Sequence, residues 1–92
     1  MDQYRILERY FEKIYDLDIS PYEKLLLFFI AIQIGARDCV QISRRDIADG
    51  CSLAKPTVNR KIRAMKQKGL IEVIEVLSDD GGNEANIYKI LI

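Results

Sequence analysis

The feature that most limits how this chain can fold is the unbroken apolar run LLLFFIAI at residues 25–32. Just ahead of it, Ser20 stands at a cap position, Pro21 at the first helical position, and Glu23 three residues after the serine, the pattern of a capping box. Gly35 follows as a stop signal. The run is therefore a helix, apolar on every side, and it belongs in the middle of the domain with other elements covering it. It is far shorter than the roughly 20 residues that cross a bilayer, so a membrane span is excluded and the rest of the chain has to supply the cover. With 92 residues, 49% hydrophobic and 30% charged, residues 1–92 make one small globular domain with no room for a second.

The remaining segments read in order around that helix. Residues 3–17 place Tyr4, Leu7, Tyr10, Phe11, Ile14 and Tyr15 at helical spacing with charged residues between them, giving an N-terminal amphipathic helix within residues 1–18. Its aromatic excess suits core packing, and it equally suits a partner helix, so a homodimer seam stands beside the plain core reading. Residues 39–43, CVQIS, alternate as a short strand. Ser43 then caps a brief helix through RRDIADG, with Asp46 in its first turn. Residues 55–68 form a further helix with Val58, Ile62 and Met65 as the buried stripe, and Gly69 stops it. LIEVIEVL at 70–77 and NIYKILI at 86–92 are β-branched strands joined by SDDGGNEA, an antiparallel hairpin. The fold class is mainly α with a small antiparallel β-hairpin wing.

Charge separates the chain more sharply than its zero net charge suggests. Residues 1–36 carry four basic and six acidic groups, residues 37–69 nine and three, and residues 70–92 one and five, so the regional sums are −2, +6 and −4. Within the central segment, Lys55, Arg60, Lys61, Arg63, Lys66 and Lys68 follow one another with no acid among them. A basic stripe on one helix is the electrostatic footprint of a nucleic-acid binder, because solvated helix faces normally mix signs.

At residues 47–58, IADGCSLAKPTV resembles the helix-turn-helix of bacterial winged-helix proteins, where a typical segment reads I-A-x-x-L-G-V-S-x-x-T-V. Ile47 and Ala48 match the first helix, Ala48 being the small residue that lets the helices approach. Cys51 takes the apolar leucine position, Leu53 the apolar turn position, and Thr57 and Val58 the start of the recognition helix. A looser likeness runs over residues 20–92, a winged helix-turn-helix core similar to those of plasmid and phage replication initiators and of MarR-type transcriptional regulators. Three positions depart from the pattern. Ser52 stands where the turn usually has Gly, with Gly50 nearby to serve instead. Ala54 replaces the usual capping Ser, and the wing tip SDDGGNEA is acidic where many members carry Arg or Lys.

The resemblance implies a double-stranded DNA-binding protein, a transcriptional regulator in the first instance. The DNA-binding domain of a plasmid or phage replication initiator and a protein-docking winged helix are the alternatives. Helical residues lie about 100° apart, so a core stripe of Val58, Ile62 and Met65 turns Pro56, Arg60 and Arg63 outward, with Thr57 and Asn59 on the flanks and Lys55 near the bend. These six are the candidate base contacts, Arg60 pairing with guanine and Asn59 with adenine. Ser43, Arg44, Arg45, Lys61, Lys66 and Lys68 are the candidate phosphate contacts.

Other function classes find little support. The chain has no histidine, no phosphate-binding loop and no nucleophile with a base beside it, so no enzymatic activity is expected. Asp79, Asp80 and Glu84 lack metal-loop spacing, so neither a metal nor a cofactor is expected. The charged N-terminus has no signal-peptide core, which points to the cytoplasm. Cys39 and Cys51 fit no zinc or disulfide framework and are expected to be buried free thiols.

Overall fold

The Ser20 Oγ accepts a hydrogen bond from the Glu23 N–H at 3.2 Å, so the helix that organises the domain starts where the capping signal places it. The computed structural model describes residues 3–76 and 85–92, and within the first helix the side chains from Tyr10 onward. The elements in chain order are α1 (Gln3–Asp16), α2 (Pro21–Ile34), β1 (Val40–Ile42), α3 (Arg44–Cys51), α4 (Lys55–Gln67), β2 (Ile71–Ile74) and β3 (Asn86–Ile90). This is the expected helical fold with its winged helix-turn-helix order. Tyr4, Leu7 and the wing tip, from Leu77 to Glu84, lie outside the described side chains.

Leu26, Leu27, Ile30, Ala31 and Ile34 of α2 are buried, and the other helices and β3 pack around them. The cover is nevertheless incomplete. Leu25 is 42% and Ile32 52% exposed, so the helix is covered on several sides, as expected, while one outer strip stays open. The cause is size: a domain of this length buries a smaller share of its surface than a large one, so part of an all-round apolar helix stays exposed.

α1 docks on α2 through Ile14, which is fully buried, and through the half-buried Tyr10 and Leu17. Phe11 and Phe28 meet with ring centroids 4.9 Å apart at 33°. Lys24 Nζ donates to the Tyr15 carbonyl oxygen at 2.6 Å, at a helix C-terminus where a cation is favoured, and lies 5.4 Å over the Tyr15 ring. Tyr15 is 74% exposed, so only part of the aromatic set of α1 enters the core.

The strands form one antiparallel sheet in the order β1-β3-β2. Val40 of β1 and Val73 of β2 both stand opposite Tyr88 of β3, whose side chain is fully buried. The hairpin is thus present with shorter strands than the apolar runs suggest, and the isolated strand of the sequence reading becomes its third member. Pairing with β3 satisfies backbone groups of β1 that would otherwise form an open edge.

One expectation about the cysteines fails. Cys51 is buried on α3, but Cys39 is exposed just before β1. Because side chains alternate along an extended segment, Val40 turns into the core and its neighbour Cys39 turns out.

Candidate nucleic-acid interface

α3 and α4 are joined by a turn whose geometry follows from hydrogen bonding. The Leu53 N–H donates to the Ala48 carbonyl oxygen at 2.9 Å and the Ser52 N–H to that of Asp49 at 3.3 Å, the paired bonds of a Schellman motif. Ser52 itself takes the left-handed conformation, φ 56° and ψ 40°. The turn is therefore not shifted to Gly50, which stays inside α3. The reason for a glycine there is space: a Cβ at Gly50 would lie 2.2 Å from Cε2 of Phe29, so its absence lets the Phe29 ring approach α3. Leu53, half-buried, packs on the core from the turn.

The turn directs α4 so that Val58, Ile62 and Met65 are all fully buried. Burying each contributes up to about 1.5–3 kcal/mol, which fixes the rotation of the helix about its axis. The opposite face is thereby set as well. Lys55, Pro56, Arg60, Arg63 and Lys66 are exposed, and Thr57, Asn59 and Lys61 are half-buried at the flanks. Ala54 stands at the N-cap of α4 without a side-chain hydrogen bond, since a methyl group has no acceptor to offer.

Tertiary packing brings the phosphate-contact candidates of α3 next to the base-contact candidates of α4. Arg45, Ala48, Asp49, Leu53 and Lys55 line one cleft across the turn. Thr57, Arg60, Lys61 and Ala64 line a second, together with Leu53 and Tyr22 of α2. Tyr22 was not singled out by sequence reasoning. It is 51% exposed beside Arg60, and its only signal was a hydroxyl-bearing aromatic at the start of an otherwise apolar helix.

Several of the candidates, Ser43, Arg44, Asn59 and Lys68 among them, have partners of their own within the chain. The Ser43 Oγ accepts from the Asp46 N–H at 3.0 Å and so caps α3. Arg44 Nη1 donates to Asn59 Oδ1 at 2.9 Å, tying the start of α3 to α4. Lys68 Nζ donates to both carboxylate oxygens of Glu23, at 3.1 and 2.9 Å. Burial alone pushes the Glu23 carboxyl up, but hydrogen bonds from Lys68 and Ser20 and the Lys68 charge outweigh it and hold the pKa below its ordinary value. Lys68 thus neutralises the buried acid of α2, which sets it apart from Arg60, Arg63 and Lys66.

A family model for the Crp-like helix-turn-helix domain matches residues 23–78, from the first turn of α2 to just beyond β2. The chain belongs to that family. A Crp-like helix-turn-helix domain is a DNA-binding module and not an enzyme, in keeping with the basic outer face of α4. The fold is similar to that of MepR, described as a transcription regulator of the Staphylococcus aureus multidrug efflux pump MepA. The likeness to the MepR crystal structure has a TM-score of 0.56 at 18% identity and covers 96% of this chain and 58% of MepR. This chain therefore spans little more than half the length of that structure. Comparison with curated proteins finds no match. Among the described residues, no helix is long and apolar enough to cross a membrane, and no cluster of three acids or cysteines is placed to hold a metal ion.

Proposed function

We propose that this Crp-like helix-turn-helix protein is a transcriptional regulator that binds double-stranded DNA by laying the N-terminal half of α4 in a major groove. The supporting observation is the one-signed outer face of α4, with Arg60, Arg63 and Lys66 exposed opposite a fully buried Val58, Ile62 and Met65. Arg60 and Arg63 reach base edges in this reading, while Arg45 and Lys66 engage phosphates on either side. The likeness to MepR favours a regulator over the DNA-binding domain of a plasmid or phage replication initiator, which would use the same surface.

Fluorescence anisotropy with a labelled duplex tests this directly. For about six phosphate contacts, log affinity falls against log salt with a slope of about −5. Replacing both Arg60 and Arg63 with alanine lowers affinity by about tenfold or more. Failure to bind any duplex at 50 mM salt, or indifference to the double substitution, would overturn the reading. A homodimer is the accompanying proposal, with exposed Phe11 and Tyr15 of α1 in its seam. Sedimentation of the wild type against a Tyr15→Glu variant checks it, and a wild type that stays monomeric at tens of micromolar removes it.

A further inference from the structure

The contact between Arg44 and Asn59 bears on which base the recognition helix reads, and it rests on the DNA-binding reading above. Arg44 opens α3 and Asn59 lies in the second turn of α4, and the two side chains meet at 2.9 Å in a half-buried position. A guanidinium has donors and no acceptor, so the atom facing it has to be the amide oxygen of Asn59. The contact therefore fixes the orientation of the amide. Recognition of adenine by asparagine needs that same oxygen to accept from the base N6 amine while the amide nitrogen donates to N7. Here one lone pair of that oxygen is taken by a cation, and an N–H donor coming to the other would approach a positive charge. Guanine meets the opposite situation, because both of its major-groove atoms, N7 and O6, are acceptors. The Arg44 Nε–H is buried and finds no partner among the described residues, and Asn59 anchors that guanidinium through Nη1.

We infer that Arg44 is a positioning residue that turns Asn59 into a donor-only reader, so that the pair selects guanine and rejects adenine at one position of the DNA site. Arg44 on this account acts through Asn59 and is more than a phosphate clamp.

The test is selection of duplexes from a random library by the 92-residue chain and its Asn59→Ala, Arg44→Met and Arg44→Lys variants. The wild type is expected to favour guanine over adenine at one position by about 5- to 150-fold, the range of a good base contact. Asn59→Ala erases the preference at that position alone. Arg44→Met, which releases the amide oxygen, moves the preference toward adenine, and Arg44→Lys, which restores a cationic donor, retains guanine. A wild type that prefers adenine at the position sensitive to Asn59 overturns the inference and leaves DNA binding intact. So does an Arg44→Met variant that weakens every sequence equally, since a plain phosphate contact behaves that way. A wild type that retains no duplex at low salt sinks the DNA-binding reading and this inference with it. A double-mutant cycle on urea stability, with Arg44→Met and Asn59→Ala alone and together, tests the contact without DNA; additive effects would show that the two side chains are not coupled.

Discussion

Ser52→Gly should stabilise this protein, and the chain supplies its own control for the size of the effect. Two of its helices end in the same motif. After α3 the Leu53 N–H bonds to the Ala48 oxygen and the Ser52 N–H to the Asp49 oxygen; after α4 the Leu70 N–H bonds to the Met65 oxygen and the Gly69 N–H to the Lys66 oxygen, both at 3.0 Å. The left-handed residue is Ser52 at φ 56° in the first and Gly69 at φ 74° in the second. A left-handed conformation costs an L-residue about 1–2 kcal/mol, through the contact of Cβ with the following carbonyl oxygen. Glycine escapes that cost and gives back about 0.4–1 kcal/mol through the greater freedom of its unfolded chain. The balance is a gain of about 0.5–1 kcal/mol, which in a domain of this size raises Tm by about 2–8 °C. Gly69→Ser should lower Tm by a similar amount, because a Cβ at Gly69 meets nothing within 4 Å and the backbone term acts alone. Thermal and urea unfolding of the two variants with the wild type measure both changes. A Ser52→Gly variant that is unchanged or less stable would refute the reasoning. The serine would then be contributing an interaction that outweighs its strain.

Three further outcomes are expected. An exposed helical glycine replaced by alanine ordinarily gains about 1 kcal/mol, but Gly50→Ala should show no such gain and lose up to about 2 kcal/mol, because the new methyl meets the Phe29 ring; Phe29→Leu, measured in parallel by urea unfolding, should relieve the loss. The Glu23 carboxyl has a folded pKa below its unfolded one, so its contribution to stability is fully present above about pH 4.3 and is lost as pH falls through the folded value. In Lys68→Met, burial is opposed by Ser20 alone, so the folded pKa of Glu23 rises and the share of the acid-side loss of stability that Glu23 supplies should shrink, with stability at neutral pH lowered. Finally, a thiol reagent should modify Cys39 rapidly in the native protein and Cys51 only on unfolding, since Cys51 is buried and burial also pushes its thiol up, away from the reactive thiolate; mass spectrometry of labelled peptides distinguishes the two.

Local chemistry wrote most of the helical framework into the sequence. Ser20 and Ser43 each accept from the residue three positions on, a bond that needs only a few consecutive residues. The stripe of Val58, Ile62 and Met65 follows from helical period, and with it the rotation that turns Arg60 and Arg63 outward. The charge asymmetry was visible for the same reason, since it depends on composition and period and not on which elements touch.

Tertiary structure decided what depends on distant neighbours. Whether Ser52 or Gly50 carries the turn could not be read from residue type, because either tolerates it and the choice is made by the Phe29 ring lying against Gly50. The pairing of β1 with β3 joins segments 44 or more residues apart, which no local pattern specifies. The role of Lys68 was set by a buried carboxylate from another helix, and the roles of Arg44 and Asn59 by each other. By itself, then, the sequence determined the helices, their faces and the sign of the surface that α4 presents. Only the packing of those helices decided which polar groups are engaged inside the fold and which are left for a partner, because those bonds join residues far apart in the sequence.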